Sequence, residues 1–115
     1  MTRPEVVAAV SHILSAHRGE AQAVTLERLT DLVRERLGSR VGRRAVEAAV
    51  SELARSTDLG VSSTPEGIFL AASVAELDRG LAYLTSHAVS ILRRRSGLKR
   101  ARARLLGQQR LPEPS

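Results

Sequence analysis

The chain has 115 residues, 43% of them apolar and 2% aromatic, with neither Cys nor Trp. That length holds a single core, which must be built from Leu, Val, Ile and Ala. Packed helices are favoured over an aromatic-rich sandwich, and the missing cysteines exclude disulfides and thiolate metal sites. The net charge of +6 is unevenly spread, with nine Arg/Lys against eleven Asp/Glu up to Asp78 and nine against one from Arg79 onward. Such asymmetry points to a polyanionic partner or an acidic surface.

In "MTRPEVVAAVSHIL" the apolar run is too short for a signal peptide or a membrane span and Glu5 interrupts it early, so a cytoplasmic protein is expected. Pro4 suits a first helical turn, and Val6, Val7, Val10, Ile13 and Leu14 recur at helical spacing until "HRGE". "AQAV" reads as a short extended link. Thr25 is a good N-cap, Glu27 sits in the first turn where the helix dipole favours an anion, and Leu26, Leu29, Leu32, Val33 and Leu37 form one face before Gly38 stops the helix.

A third helix is predicted from near Gly42, with Val46, Ala49, Val50 and Leu53 on one side and Arg44, Ala48, Ser51 and Arg55 on the other. In "DLGVSSTPEGIFLAA" the period changes, and Pro65 and Gly67 suit positions i+1 and i+3 of a β-turn, giving a small hairpin. Ser73 and Glu76 then read as a capping box opening a long helix to about Leu106. On it Leu77, Leu84, Ile91, Leu98 and Leu105 recur every seventh residue, whereas the accompanying positions pass from Leu81 and Ala88 to Arg95 and Arg102. The tail "QQRLPEPS" is polar and contains proline, so it is expected to be disordered.

The segment from Val24 to Ser56 carries the strongest functional signal. Its second helix begins with Arg43 and Arg44, where a recognition helix presents its N-terminal end to a major groove. The competing reading is an ordinary helical hairpin with solvated arginines. Arg43 and Arg44 have the donors to bond guanine or phosphate, Glu47 can accept from cytosine, and Ala48 permits close approach. Arg40 in the turn and Ser51 further along the helix complete the candidate reading set, with Ser63 and Thr64 of the hairpin as neutral phosphate contacts. Equally, Glu47 can pair with Arg43 or Arg44 in the free protein.

In "VTLERLTDLV", "VGRRAVEAAVSEL" and "VSSTPEGIFLA" the chain resembles winged helix-turn-helix proteins of the biotin-repressor type over roughly residues 24–72. "GIFL", "SVAELDRGLAYL" and "SHAVSIL" extend the likeness to small prophage-borne winged-helix proteins with a basic C-terminal helix. Two departures are Gly42 in place of a polar cap and His87 in place of an arginine.

The stretch "LRRRSGLKRARARLL" has seven basic residues and no acid. Arg93, Arg94, Lys99, Arg100 and Arg104 are its candidate phosphate contacts, and Leu77, Leu81, Leu84, Ile91 and Leu98 the candidate dimerisation seam. A membrane helix would want Trp or Phe anchors, and a single-strand binder would want aromatic stacking platforms. His12 and His17 point about 140° apart on a helix, Asp31 and Glu35 read as solvated charges, and no nucleophile motif or phosphate loop occurs. Neither an enzyme nor a metal or cofactor is expected.

The expected protein is thus mainly α (α+β): a winged helix-turn-helix domain over residues 1–72 with a short β-hairpin wing, a long basic C-terminal helix over 73–107 and a flexible tail over 108–115. It is expected to bind double-stranded DNA as a homodimer, as a transcriptional regulator or a prophage DNA-binding accessory, without a membrane partner. The alternative is an adaptor that docks a protein partner in replication or chromosome-maintenance machinery.

Overall fold

The computed structural model describes residues Thr2–Arg110. In chain order it contains α1 (Arg3–Leu14), a 3-10 turn (Glu20–Gln22), α2 (Leu26–Leu37), α3 (Arg43–Ser56), the hairpin strands β1 (Val61–Thr64) and β2 (Gly67–Leu70), and α4 (Val74–Arg110). The molecule is mainly helical with one antiparallel hairpin. By its internal contacts it divides into two units, one up to Gly80 and one from Leu81.

Local signals set the helix ends in the first unit. Thr2, one residue outside α1, accepts a hydrogen bond from Glu5 N–H at 3.4 Å, so the cap lies just before Arg3 and Pro4 falls in the first turn. Thr25 Oγ1 accepts from Arg28 N–H at 3.1 Å, and Gly38 closes α2 at φ +112°. That backbone region is costly for a residue with a Cβ. One face each of α1, α2 and α3 is buried, and Val10, Leu14, Leu29, Val33 and Val46 are its largest fully buried side chains. Fully burying a Val or Leu side chain stabilises the fold by roughly 1.5–3 kcal/mol relative to exposure. The buried Thr30 hydroxyl is satisfied by donating to Leu26 C=O at 2.8 Å.

The hairpin is held into this core by chain segments that precede α2. Val61 pairs with Leu70 and Thr64 with Gly67 across a two-residue Pro65–Glu66 turn. On the other side of β2, Val24 exchanges two hydrogen bonds with Ile68 at 2.8 and 2.7 Å. Leu70 N–H donates to His17 C=O and Leu70 C=O accepts from Gly19 N–H, both at 2.8 Å. Of the expected extended link, only its end is extended: Ala21 and Gln22 lie in the 3-10 turn, closed by Gln22 N–H to Gly19 C=O and braced by a 2.7 Å contact between His17 Nδ1 and Gln22 C=O. Gly67 is required here. Its φ is +139°, and a Cβ would come within 2.5 Å of Val24 O.

Ile68 and Leu70 join the main core, and Phe69, on the opposite face of the strand, is only 3% exposed. Its cross-strand partner Ser62 sits beneath the start of α4, with Oγ 3.7 Å from where a Cβ on Gly80 would lie. Ser73 caps α4 as expected, accepting from Glu76 N–H at 3.2 Å. The reciprocal bond of the expected capping box is displaced. The Glu76 carboxylate instead accepts from Ala72 N–H at 2.7 Å and from Glu20 N–H at 2.8 Å, because the 3-10 turn offers a second free donor.

In the second unit, α4 continues without a break through Gly97 and past the expected end near Leu106 to Arg110. Ala, Leu, Arg and Gln are good helix formers, which lets the helix tolerate internal glycines that cost roughly 1 kcal/mol each relative to Ala. Gln108 to Arg110, expected in the flexible tail, are therefore helical, and the remainder of that tail lies outside the described residues. No described residue from Leu81 onward is buried. Tyr83 and His87, one turn apart, stack at 6.1 Å between ring centroids. Among the described residues no helix is long and apolar enough to cross a membrane.

Candidate nucleic-acid interface

Between α2 and α3 the chain turns through Gly38 to Gly42, and one side chain ties the corner. Arg34, in the last turn of α2, donates from Nε to Val41 C=O at 2.9 Å, while the Val41 side chain is buried in the core. The start of α3 is thus fixed relative to α2 by a charged hydrogen bond and an apolar anchor. Nothing in the sequence pattern marked Arg34, whose partner is seven residues away across a turn.

At the start of α3, Gly42 is the N-cap and supplies no side-chain bond. Arg43 and Arg44 occupy the first turn, where positive charge opposes the helix dipole and so does not serve the helix itself. Both are exposed, as is Arg40 in the turn before them. The two arginines nevertheless differ in their surroundings. Arg43 Nε lies 3.4 Å from Glu47 Oε1, and Arg43 lines a polar cleft with Glu27, Thr30, Asp31 and Arg34. Arg44 makes no ion pair among the described residues.

At 100° per residue Arg44, Ala48, Ser51 and Arg55 fall within about 60° of one another. All four are exposed, and the stripe runs opposite the buried Val46, Ala49 and Leu53. Arg55 belongs to this stripe although it was absent from the predicted contact set. Its Nε donates to Ser51 C=O at 3.3 Å, which lays the side chain back along the helix. The signal was present in its spacing from Arg44, three helical turns along the same face. Two cations thus bracket a small-residue centre, a surface that can approach a groove closely while holding phosphate or base edges at both ends.

At the hairpin tip the predicted contacts separate. Ser63 is exposed, whereas the Thr64 hydroxyl lies 3.2 Å from Glu66 Oε2 and 3.3 Å from Glu66 N. An acid bonded to Thr64 makes the tip a poor seat for phosphate.

On α4, Arg93, Arg94, Lys99, Arg100 and Arg104 are all exposed, as are Arg95 and Arg102. Arg93, Arg100 and Arg104 share one face within about 40° and span roughly 16 Å of helix. None of the seven makes an ion pair among the described residues. The predicted seam is also open to solvent: Leu77 is 40% exposed, Leu81 63%, Leu84 62%, Ile91 49% and Leu98 73%. Leu105 and Val74 continue it at both ends and are likewise exposed.

Where α4 starts, the Glu76 carboxyl is held below its ordinary range, chiefly by the Ala72 N–H and then by the Glu20 N–H, against an opposing effect of desolvation, with the Arg79 charge adding a last lowering effect. Arg79 also pairs with Glu20 at 3.5 Å. Among the described residues no group of three His, Asp or Glu side chains is placed to hold a metal ion.

Comparison with known proteins finds no matching family model, no matching curated protein and no matching solved structure.

Proposed function

We propose that the chain is a winged helix-turn-helix protein that binds double-stranded DNA with α3 in the major groove, acting as a transcriptional regulator or a prophage DNA-binding accessory. The observation that carries this reading is the exposed stripe of Arg44, Ala48, Ser51 and Arg55, with the arginines of the first turn left clear of the core. Support also comes from the order of elements, three helices followed by a hairpin that bonds Val24 ahead of α2. A recognition helix needs its reading face free and its opposite face locked, and α3 meets both conditions.

In this reading α3 selects sequence and the basic half of α4 adds sequence-independent attraction to phosphates, while the apolar seam of α4 joins two copies. Arg44 and Arg55 lead the selection because Arg43 already has Glu47 as a partner. Against an adaptor stands the polar, cationic character of the α3 face. In favour of one is a groove between α1 and α3 lined by Pro4, Val7, Ala8 and Leu53, which suits an apolar side chain of a protein partner.

The test is selection from random duplex DNA at two salt concentrations. Each phosphate contact contributes a slope of about −0.9 in log affinity against log salt. Deleting the residues after Leu92 should flatten that slope by several units and leave base preference intact, provided the dimer survives. Arg44→Ala should instead erode discrimination, by about 1–3 kcal/mol for a lost bidentate base contact. Selection that returns no preferred sequence, with affinity unchanged in Arg44→Ala, would leave the adaptor as the better reading.

A further inference from the structure

The arginines inside the α4 seam pose a problem that one arrangement of two copies resolves. In heptad terms Val74, Leu81, Ala88, Arg95 and Arg102 hold one seam position, and Leu77, Leu84, Ile91, Leu98 and Leu105 the other. Facing helices interlock these positions as knobs into holes. In a parallel, in-register pair equal residues meet, so Arg95 would meet Arg95 and Arg102 would meet Arg102 inside the seam. Like charges desolvated together have no compensating partner, and the remaining cations of the basic half would lie alongside one another.

We propose that α4 pairs with a second copy of itself in the antiparallel direction, about a centre between Val89 and Ser90. This rests on the self-association included in the functional reading above and adds its direction and register. With that centre every seam layer is filled: Leu81 meets Leu98 of the second copy, Leu84 meets Arg95, and Ala88 meets Ile91. Continuing outward, Leu77 meets Arg102 and Val74 meets Leu105. No arginine faces an arginine. Each lies across a leucine, where its methylene stem covers apolar surface and its guanidinium reaches water at the seam edge.

Charge supplies the second argument. From Leu81 to Leu92 the helix carries no Arg, Lys, Asp or Glu, and from Arg93 to Arg104 it carries seven cations and no acid. In this register residues 93–98 of one copy lie alongside the uncharged 81–86 of the other, and 99–104 lie alongside 75–80, which carry Glu76, Asp78 and Arg79. Beside the seam, on the same flank, Asp78 comes opposite Lys99 of the second copy, twice by symmetry. Asp78 is exposed and makes no ion pair among the described residues, so its carboxylate is free for this contact. A single isologous interface thus uses the apolar stripe, the acid near its start and the cations near its end, which is the self-complementarity a twofold dimer requires.

The chain has no cysteine, so single spin labels can be placed on the full-length protein through Ser90→Cys or Ala103→Cys, both exposed positions outside the seam. In the antiparallel register the axial separation between equal labels grows by about 3 Å for each residue away from the centre, giving less than about 20 Å at position 90 and about 40 Å or more at position 103. Short distances at both positions overturn the register while leaving a dimer in place. A monomer by sedimentation at high micromolar concentration overturns the dimer itself, and leaves the seam to another occupant. Charge reversal gives an independent reading of the same contact. Asp78→Lys and Lys99→Asp should each weaken association severalfold, and the combined variant should return it to the original strength. A combined variant no tighter than either single one overturns the Asp78–Lys99 contact.

Discussion

The helices of the first unit and the stretch of α4 beyond Leu81 are written in much the same alphabet of Leu, Ala, Val and Arg, yet they meet water in opposite ways. α1, α2 and α3 each bury a face completely, down to 0% exposure at Val10, Leu29 and Val46. From Leu81 onward α4 buries nothing among its described residues, and Leu98 stands 73% exposed. Composition sets helix propensity, and both regions have it. What differs is whether apolar residues converge on neighbours in the same chain. In α2 cap, apolar face and stop agree within a dozen or so residues, and in α3 Val46, Ala49 and Leu53 gather on one buried side, so each helix closes on its neighbours. In α4 an apolar stripe runs far beyond any cap, acquires arginines and stays exposed along its length.

The largest effect expected is a direct contrast of two leucines. Leu14→Ala should cost about 2–5 kcal/mol in denaturant unfolding, since Leu14 is fully buried and a cavity would remain. Leu98→Ala should cost less than about 0.5 kcal/mol in dilute protein, as surface substitutions do. If α4 pairs as proposed, the Leu98 variant should fall progressively behind the original chain with rising protein concentration. Equal costs for the two at high dilution would break the contrast.

Next in size is Gly67→Ala. A Cβ would press on Val24 O in a backbone region that L residues avoid, and relief would break the Val24–Ile68 bonds. A cost of about 1–3 kcal/mol is expected, read as a lower melting temperature with the helix content of α4 retained. Loss of α4 helicity along with the hairpin would show that the two regions do not differ as described.

The smallest effect sits at the start of α4. A carboxyl whose folded pKa is depressed contributes stability above its ordinary value of 4.5, and that contribution is lost as pH falls through the lower folded value. Glu76→Gln should therefore melt below the original chain at pH 7, and the two should converge as pH drops below about 4.5. Melting curves that stay parallel down to acid would show that the charge of Glu76 does not stabilise the start of α4.

Much of the fold is legible locally. Thr25 and Gly38 bound α2, Pro65 and Gly67 the hairpin turn, and Ser73 the start of α4, because each acts through its own backbone and immediate neighbours. What escaped is what depends on distant partners. Glu76 reads as a capping-box acid, but half of its work is done on Glu20, 56 residues away in sequence. The Val24–Ile68 bridge and the tie from Arg34 to Val41 are likewise made by the fold and leave no periodic trace. On the candidate interface, exposure of Arg43 and Arg44 could be anticipated from the apolar face opposite them. The Glu47 contact that distinguishes them could be anticipated only as one of two options.

Gly42 shows what the protein forgoes. Its φ of −86° and ψ of 158° suit any L residue, and nothing lies within 4 Å of where a Cβ would sit, so a serine or aspartate would fit without strain. Such a residue would bond the free N–H groups of the first turn and stabilise the helix over glycine by a few tenths of a kcal/mol. In the proposed DNA-binding reading it would also compete with a phosphate oxygen for those donors, and aspartate would add repulsion. Gly42→Asp should accordingly yield a sturdier protein and a poorer ligand for polyanions.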